Sequence, residues 1–333
     1  MKVSVVVPVR DEESSIRELL DSLLHQTRPP DQIVITDGGS VDATPQIIEE
    51  YIQRGAPVRL LRAGPALPGR GRNLGAAAAD FEWLAFTDAG IRLNHDWLET
   101  LVARAAQDQS IDILYGSWEP VTDTFFKECA AIAYVPPPQL RDGILARPRF
   151  IASTLLRREA WARVNGFPED LRSAEDLVFM DRLEEAGYRA VFEPRAQVHW
   201  NLRPTIGTTF KRFLVYSRNN IRAGLWRQWQ AAILFRYALL LGLFVIALIV
   251  DPRLVLVPIG LWLLMLAGRA AVSIRRNQHC YPGSFVHNLR RGITVMSLLA
   301  VLDAAAILGS IQWLLFDSFR WSRKAPVEAG NGA

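Results

Sequence analysis

Hydrophobic and polar positions alternate in a regular way over about the first 115 residues. Short β-branched runs, such as VSVVVPV and QIVIT, are separated by stretches whose apolar residues recur at helical spacing, for example from Glu13 to Gln26. The first kind of run is typical of buried strands and the second of amphipathic helices. This alternation of strands and helices predicts a mostly parallel sheet covered by helices on both faces, which is an α/β fold.

The pattern changes after Trp226, where long apolar stretches begin. The first is AAILFRYALLLGLFVIALIV, about the 20 residues that cross a hydrocarbon core, and two more follow. Asp303 lies inside the third stretch, and since an acid is costly in lipid we expect it to face other helices. The segment that precedes the first stretch mixes arginines with aromatic residues, which predicts an interfacial helix.

These patterns predict a Rossmann-like domain followed by an all-α membrane region. The predicted parts are the α/β domain at 1–210, an interfacial amphipathic segment at 211–230, two to three transmembrane helices at 231–318 and a disordered tail at 319–333. The arginine-rich loop between the second and third apolar stretches predicts that this loop and the α/β domain are cytoplasmic, in a multi-pass membrane protein.

The charges at the end of the chain leave the number of spans open. Three spans would put Arg320, Arg323 and Lys324 outside, against the rule that basic residues stay on the cytoplasmic side. Either the first two stretches form a re-entrant hairpin or the third does not span.

Composition excludes several classes of function. The net charge of +4 is too small to argue for nucleic acid, although it suits phosphate-bearing ligands or an anionic membrane surface. Cys129 and Cys280 lie far apart without a CxxC pattern, so neither a disulfide framework nor a zinc site is indicated.

Acidic residues follow the predicted strands at the edge where parallel sheets bind ligands. Asp37 ends the second strand in TDGGSVDAT, and Asp88 follows the fourth strand in WLAFTDAG. The glycines after Asp37 would let the backbone approach a ligand closely. Taken singly, each acid is equally well explained as the start of a turn or as a helix cap.

In combination, four motifs resemble those of the family 2 glycosyltransferases, which have the GT-A fold. In chain order they are VVVPVRDEES, TDGGSVDAT, GRGRNLGAAAADFEWLAFTDAG and AEDLVFMDRLEEAG. The resemblance covers roughly residues 2–200, and VHW and the apolar stretches follow. It implies a GT-A domain that binds a nucleotide-sugar donor.

The resemblance assigns roles to individual residues. Asp37 matches the acid that contacts the nucleotide base, and Asp88 matches the first acid of a DxD motif that holds Mg²⁺ or Mn²⁺ on the diphosphate. Gly90 replaces the second acid, so fewer protein ligands would hold the metal, which Mg²⁺ tolerates. His199 matches a histidine that reaches the metal, although a histidine at a strand end is also often hydrogen-bonded locally.

Glu175 and Asp176 match the family's acid pair, whose Asp is the base in inverting transfer. The same SAED sequence is also a capping box with Ser173 as N-cap, in which case Glu175 would become the candidate base. The expected donor-binding residues are Pro8, Arg10, Glu12, Asp37, Arg70, Arg72, Asn73 and Asp88.

Two of these residues, Arg70 and Arg72, lie beside glycines in PGRGRNLG, ahead of a predicted helix. There they would offer cations, with backbone N–H groups, to the diphosphate. The GxGxxxG spacing does not match a dinucleotide-binding fingerprint.

The predicted function is therefore metal-assisted, inverting transfer of a sugar from a nucleoside-diphosphate sugar to a membrane-associated acceptor, either lipid-linked or a cell-envelope glycan. Its main alternative is a degenerate, non-catalytic membrane partner, for which Gly90 is the best argument. Processive polymer synthesis is disfavoured because the QxxRW signature is missing from the sequence. A phosphatase of the aspartyl-phosphate type would need DxD after the first strand, where this chain has VPVRDEES.

Overall fold

The structure is a computed structural model, and it describes residues 1–141 and 144–318. The chain divides into two compact units, Met1–Leu202 and a second that begins at Arg203. The tail predicted at 319–333, with its three basic residues, lies outside the described residues.

The first unit holds the sheet and the helices that cover it. Its strands are β1 (Val3–Val9), β2 (Gln32–Asp37), β3 (Val58–Arg62), β4 (Trp83–Phe86), β5 (Ile91–Leu93), β6 (Ile113–Val121), β7 (Gln139–Arg141), β8 (Ile144–Ala146), β9 (Thr154–Arg157) and β10 (Ala190–Asn201). Its helices are α1 (Ile16–Leu24), α2 (Thr44–Gln53), α3 (Pro68–Ala78), α4 (Trp97–Gln107), α5 (Phe125–Tyr134), α6 (Arg158–Arg163) and α7 (Glu175–Glu185).

Eight of these strands form one sheet in the order β3-β2-β1-β4-β9-β6-β10-β5. The neighbours among β1, β2, β3 and β4 are parallel, as are β6 and β10, whereas β9 and β5 run antiparallel to their neighbours. The mostly parallel, helix-covered sheet predicted from the sequence is confirmed. β1 is buried along nearly its whole length, as expected for a strand covered on both faces.

The strand order reverses beside β1. The chain passes from β1 to β2 and β3 on one side and returns to β4 on the other, so the carboxyl ends of β1 and β4 flank a topological switch point. In open α/β sheets such a point is where ligands bind. Asp37 is the last residue of β2, and Asp88 lies two residues beyond the end of β4.

Helix α3 crosses this edge of the sheet in close contact because it presents glycines to it. A Cβ on Gly75 would lie 2.6 Å from Cγ1 of Val6, and a Cβ on Gly71 would lie 3.0 Å from Cβ of Pro8. The sequence placed Arg70 and Arg72 ahead of a helix. That prediction was wrong, since α3 begins at Pro68 and contains both arginines.

The second unit is helical. Its helices are α8 (Ile206–Arg222), α9 (Trp226–Trp229), α10 (Ala231–Val250), α11 (Leu256–Arg276) and α12 (Phe285–Phe316). By length and composition, α10, α12 and the stretch from Pro252 to Arg276 that includes α11 are apolar enough to cross a membrane. The segment predicted to be interfacial falls on α8 and α9.

Asp303 faces other helices, as predicted. It is fully buried, and its carboxylate accepts hydrogen bonds from the Tyr237 hydroxyl at 3.0 Å and from both terminal nitrogens of Arg269. The indole N–H of Trp262 donates to the Tyr237 hydroxyl at 3.0 Å. Each of the helices α10, α11 and α12 thus contributes to one buried polar network.

Candidate active site

Arg72 joins two of the predicted site acids. One terminal nitrogen, Nη1, donates to Oε1 of Glu175 at 2.6 Å, and the other, Nη2, donates to Oδ1 of Asp88 at 2.7 Å. The residue is 3% exposed, and its guanidinium lies 5.4 Å from the centre of the Phe167 ring. The forked guanidinium allows one side chain to hold two carboxylates at once, one from the loop after β4 and one from the first residue of α7.

The charges around Arg72 stabilise its cationic form. Burial alone would lower the pKa of Arg72, but the nearby carboxylates of Asp88, Glu175 and Asp176 raise it. Arg72 therefore stays charged, and it holds Asp88 from the β4 loop and Glu175 from the start of α7 in a fixed relation.

The two acids at the start of α7 have different environments. Burial, reinforced by the Asp176 charge, raises the pKa of Glu175 to about 7 although Arg72 opposes the shift. Oε2 of Glu175 is buried and has no hydrogen-bond partner among the described residues. Burial also raises the pKa of Asp176, against the effect of Arg72, and its Oδ1 accepts from the Leu177 N–H at 2.9 Å.

The capping-box interpretation of SAED was wrong. Helix α7 begins at Glu175, its N-cap is Ala174 with φ of 68°, and no side chain bonds to the cap. The Ser173 hydroxyl is buried without a hydrogen-bond partner among the residues described. Asp176 is consequently not needed to start the helix. A left-handed alanine costs about 1 kcal/mol or more, so neighbouring contacts must hold this turn in place.

One such contact comes from α3. The backbone of Gly69 comes so close to Pro168 that a Cβ would lie 2.0 Å from the Pro168 carbonyl oxygen and 3.4 Å from Cγ of Glu175. The α3 glycines thus set the distance between the sheet edge and the segment that leads into α7.

Asn73 holds the same segment by hydrogen bonds. Its Oδ1 accepts from Nε1 of Trp161 at 3.1 Å and from the Phe167 N–H at 2.9 Å, and its Nδ2 donates to the Phe167 carbonyl and to Glu169, each at 2.9 Å. An amide side chain offers two donors and two main acceptor positions, and all four are used here. This geometry corrects the expected donor contact, because Asn73 positions the loop before α7.

At the end of β2, Asp37 makes the turn that one reading of the sequence expected. The N–H and hydroxyl of Ser40 donate to its Oδ1 at 3.0 and 2.6 Å, and the residue is 5% exposed. Its second oxygen, Oδ2, accepts no hydrogen bond from the described part of the chain. The turn leaves that oxygen available for a ligand, so both readings of Asp37 fit.

The loop after β1 is tied to the same turn through Asp11, which sequence reasoning did not single out. Asp11 has φ of 55°, its N–H donates to the Ser40 hydroxyl at 2.9 Å, and its Oδ1 accepts from the Val41 N–H at 2.8 Å. The signal was an acid directly after the first strand in VRDEES.

The other expected donor-binding residues surround this loop and α3. Arg10 lies 3.7 Å from Asp11 on an exposed surface, whereas Glu12 accepts from the Ser15 hydroxyl and donates its N–H to Thr44 at 2.8 Å. Pro8 lies within β1 beneath Gly71, and Arg70 is exposed in the first turn of α3.

The described residues offer little protein ligation for a metal ion. No group of three or more His, Cys, Asp or Glu side chains that could hold one occurs in 1–141 and 144–318. The Asp88 side chain is 32% exposed, and while its Oδ1 is paired with Arg72, its Oδ2 has no partner within those ranges. One carboxylate oxygen fits Mg²⁺ or Mn²⁺ only if diphosphate oxygens and water complete the coordination.

His199 is hydrogen-bonded within its own corner of the sheet. Its Nε2 lies 3.0 Å from Oδ1 of Asn94, and its residue partner in the antiparallel β5–β10 pair is Arg92. Partial burial and the charge of Arg92 lower the pKa of His199. The imidazole is therefore neutral at neutral pH and keeps a metal-binding form, although the observed contact of Nε2 is local.

Gly90 has a conformational reason to be glycine. Its φ is 79°, a left-handed value that L residues rarely adopt, and a Cβ there would meet nothing within 4 Å. The turn that carries Asp88 therefore has room for a larger side chain at position 90. The left-handed backbone at that position nevertheless disfavours residues other than glycine.

Sequence comparisons identify two matching families. A family described as Glycosyl transferase family 2 matches residues 4–145, and one described as Glycosyl transferase family group 2 matches residues 148–273. Together the two matches cover most of the chain.

Curated relatives match about half of the chain. The uncharacterized glycosyltransferase EpsJ of Bacillus subtilis is 30% identical over an alignment of 194 residues, which covers 53% of this chain and 54% of EpsJ. The poly(ribitol-phosphate) beta-N-acetylglucosaminyltransferase TarS of Staphylococcus aureus is 32% identical over an alignment of 189 residues, which covers 54% of this chain and 32% of TarS. The chain thus spans about half of the first relative and a third of the second.

Solved structures share the fold. The crystal structure of S. aureus TarS 1–349 superposes with a TM-score of 0.50 at 20% identity, covering 93% of this chain and 92% of that one. The mannosyltransferase PcManGT of Pyrobaculum calidifontis, in complex with GDP-Man and Mn²⁺, superposes with a TM-score of 0.53 at 19% identity, covering 95% and 88%. The fold, the family matches and the order of the four motifs agree, and the chain belongs to the family 2 glycosyltransferases.

Proposed function

We propose that the chain transfers a sugar, with inversion and metal assistance, from a nucleoside-diphosphate sugar to an acceptor at a membrane surface. The observation that carries this proposal is the Arg72 bridge, which joins Asp88 to Glu175 and thereby fixes Asp176 beside them. Asp88 belongs to the proposed donor side of the site and Asp176 to the acceptor side. Transfer requires both sides to be held at a set distance.

On the donor side, Asp37 contacts the base through its Oδ2, and Asp88 would hold a divalent cation on the diphosphate. When bound, that cation would neutralise charge that develops on the leaving diphosphate. Arg70, exposed at the start of α3, adds a positive charge for the same phosphates. Arg72 has a different role from Arg70, because its terminal nitrogens are already bonded to Asp88 and Glu175.

On the acceptor side, Asp176 is the base. Its Oδ1 is occupied by the Leu177 N–H, while Oδ2 has no hydrogen-bond partner among the residues that the structure describes. The acceptor hydroxyl gives its proton to Asp176 as its oxygen bonds to the anomeric carbon. The bond from that carbon to the diphosphate oxygen breaks, and the nucleoside diphosphate leaves with the electron pair. Glu175, tied to Arg72 and 4% exposed, positions Asp176.

The acceptor belongs to the membrane or the cell envelope. Three helices apolar enough to span support a multi-pass protein. The arginines at the end of α11 and the start of α12, Arg275, Arg276, Arg290 and Arg291, support a cytoplasmic position for the catalytic unit. A lipid-linked sugar or a glycan growing at the membrane would then be within reach. That the relative TarS acts on poly(ribitol-phosphate) supports an envelope polymer as one such acceptor.

The test is donor binding and turnover by the full-length protein in detergent. UDP-, GDP-, CMP- and dTDP-linked sugars are measured with and without Mn²⁺ or Mg²⁺ for the wild type, Asp88→Ala, Asp176→Asn and the control Asp181→Asn. Asp181 lies on the same helix but pairs with Arg149, away from the bridge.

The proposal expects one preferred nucleotide whose binding needs metal and is lost in Asp88→Ala. Asp176→Asn should keep binding but lose sugar transfer by about a hundredfold or more, as general bases contribute 10²–10⁴-fold. Binding without turnover in the folded wild type would favour the non-catalytic partner instead. Metal-independent binding would remove the cation from the proposal.

A further inference from the structure

The buried polar network gives a measure of depth in the second unit. Tyr237 lies six residues after the start of α10, and Arg269 lies seven residues before the end of α11. The two helices are joined only by the short segment 251–255, so they run antiparallel. Tyr237 and Arg269 therefore lie at a similar distance from the end of the helix pair at which α10 begins and α11 ends. At 1.5 Å per residue that distance is about 10 Å. Asp303 of α12, which bonds to both, lies near the same depth.

The carboxyl-terminal part of α12 lies near the side at which α10 begins. Gly309 packs against α8 so closely that a Cβ would lie 2.7 Å from Cβ of Ser217. The Ser217 carbonyl in turn accepts a hydrogen bond at 3.2 Å from Gln230, the residue directly before α10. Asp317, just after α12, forms a bidentate ion pair with Arg218 of α8 at 2.6 and 3.0 Å.

These contacts do not fit a helix that crosses the bilayer. The segment 277–284 connects α11 to α12, so α12 starts near the side at which α11 ends and α10 begins. From Phe285 to Gly309 the helix is about 36 Å long, more than the roughly 30 Å of a hydrocarbon core. A spanning α12 would carry Gly309 to the far side, yet Gly309 lies against the residues that adjoin the start of α10.

We propose that only α10 and α11 cross the membrane, as a hairpin, and that α12 lies along the membrane surface at which α10 begins, with lipid as the partner of its exposed face. That face is a stripe at helical spacing along the whole of α12, and it is mainly apolar. Its most exposed apolar members are Val286, Leu289, Ile293, Leu308, Ile311 and Leu315. The opposite side of α12 packs on α8, so the stripe is free for the bilayer.

This arrangement also agrees with the charges. In this arrangement the chain leaves α12 on the side of Arg275, Arg276, Arg290 and Arg291, at the end of α11 and the start of α12. The basic residues that follow in the sequence, Arg320, Arg323 and Lys324, then conform to the positive-inside rule. A third span would separate the two groups.

The first test labels single cysteines with a membrane-impermeant maleimide in sealed vesicles of known orientation. The background is the full chain with Cys129→Ala and Cys280→Ser. Gln278→Cys reports the side at which α11 ends, Arg253→Cys reports the α10–α11 turn, and Ser318→Cys reports the end of α12. Donor binding by each variant checks that it is folded.

The proposal expects Ser318→Cys to react from the same side as Gln278→Cys and from the opposite side to Arg253→Cys. Reaction of Ser318→Cys together with Arg253→Cys means that α12 spans, which overturns the proposal. Equal reaction of all three from one side also overturns it, since α10 and α11 would then not cross.

A second measurement separates a surface helix from a re-entrant one. Nitroxide labels at Ile293→Cys and Ile311→Cys, both on the exposed stripe, report depth through their relative accessibility to oxygen and to a water-soluble nickel chelate. A surface helix places the two labels at the same depth. A helix along the membrane normal separates them by about 27 Å, and a large difference in depth contradicts the proposal even if Ser318→Cys reacts as expected.

Discussion

At the residue scale, the site depends on the shape of one cation as much as on its charge. Arg72 bonds through two different nitrogens to acids that are 87 residues apart in the sequence, Asp88 and Glu175. A lysine ammonium is a compact point charge on a flexible stem and does not reproduce this planar fork. Geometry and charge can therefore be separated by substitution.

Arg72→Lys should lower kcat about 10- to 100-fold with a smaller change in donor KM. The charge remains, but at least one carboxylate loses a charge-assisted hydrogen bond of about 1.5–3 kcal/mol. Steady-state kinetics with Arg54→Lys as the control checks this, because Arg54 is exposed and pairs with Glu50 instead of a site acid. An unchanged kcat for Arg72→Lys would mean that the bridge does not position the acids.

The pH profile of transfer should have an acid limb well above the usual range for carboxylates. Burial raises the pKa of both Glu175, to about 7, and Asp176. Both acids act in their ionised forms, so kcat should fall as the pH drops through the raised values and should level off above about pH 8.

The variant Glu175→Gln separates the contributions of Glu175 and Asp176 to the acid limb of the same pH profile. It removes the carboxyl group whose pKa is raised to about 7, so an acid limb that remains in this variant belongs to Asp176, as expected if Asp176 is the base. A flat profile between about pH 5 and 8 in the wild type would contradict the raised values.

At the element scale, the position of Arg72 depends on the close packing of α3 on the sheet. The glycines that permit this packing were visible in GRGRNLG, but their role was not, because the same spacing is equally consistent with a phosphate-binding loop. Which side of a helix faces a strand depends on contacts such as Gly75 with Val6, and these cannot be derived from local sequence. The first four strands and their order along the chain could be predicted, since they depend on burial patterns alone.

Gly75→Ala should destabilise the first unit by about 1–3 kcal/mol, because the new methyl group would lie 2.6 Å from Cγ1 of Val6 and overpack a tight contact. It should also lower kcat, since α3 carries Arg72. Thermal unfolding and kinetics are measured beside Ala77→Ser, an exposed position of the same helix that should change stability little. Equal stability of the two variants would show that α3 moves away without cost.

At the scale of the whole molecule, an α/β fold followed by a helical region was predicted, but the path of the last helix was not. Hydropathy reports only that a stretch such as α12 is long and apolar enough to span. Its direction depends on distant pairs, Asp303 with Arg269 and Asp317 with Arg218, that composition does not reveal. The expectation that Asp303 would face other helices succeeded because the cost of an unpaired acid in lipid is independent of such detail.

The cost of an unpaired charge in lipid also provides a test of what holds the second unit together. Asp303→Asn leaves the charge of Arg269 without its partner and should destabilise the detergent-solubilised protein by about 3–5 kcal/mol, as the loss of one member of a buried ion pair does. Asp303→Leu combined with Arg269→Leu removes both charges and should recover most of that loss, since apolar side chains need no partner there. Unfolding midpoints of the single and double variants measure the difference. A double variant no more stable than Asp303→Asn would mean that the pair also specifies how α10, α11 and α12 meet, because apolar packing alone would then fail to restore their arrangement.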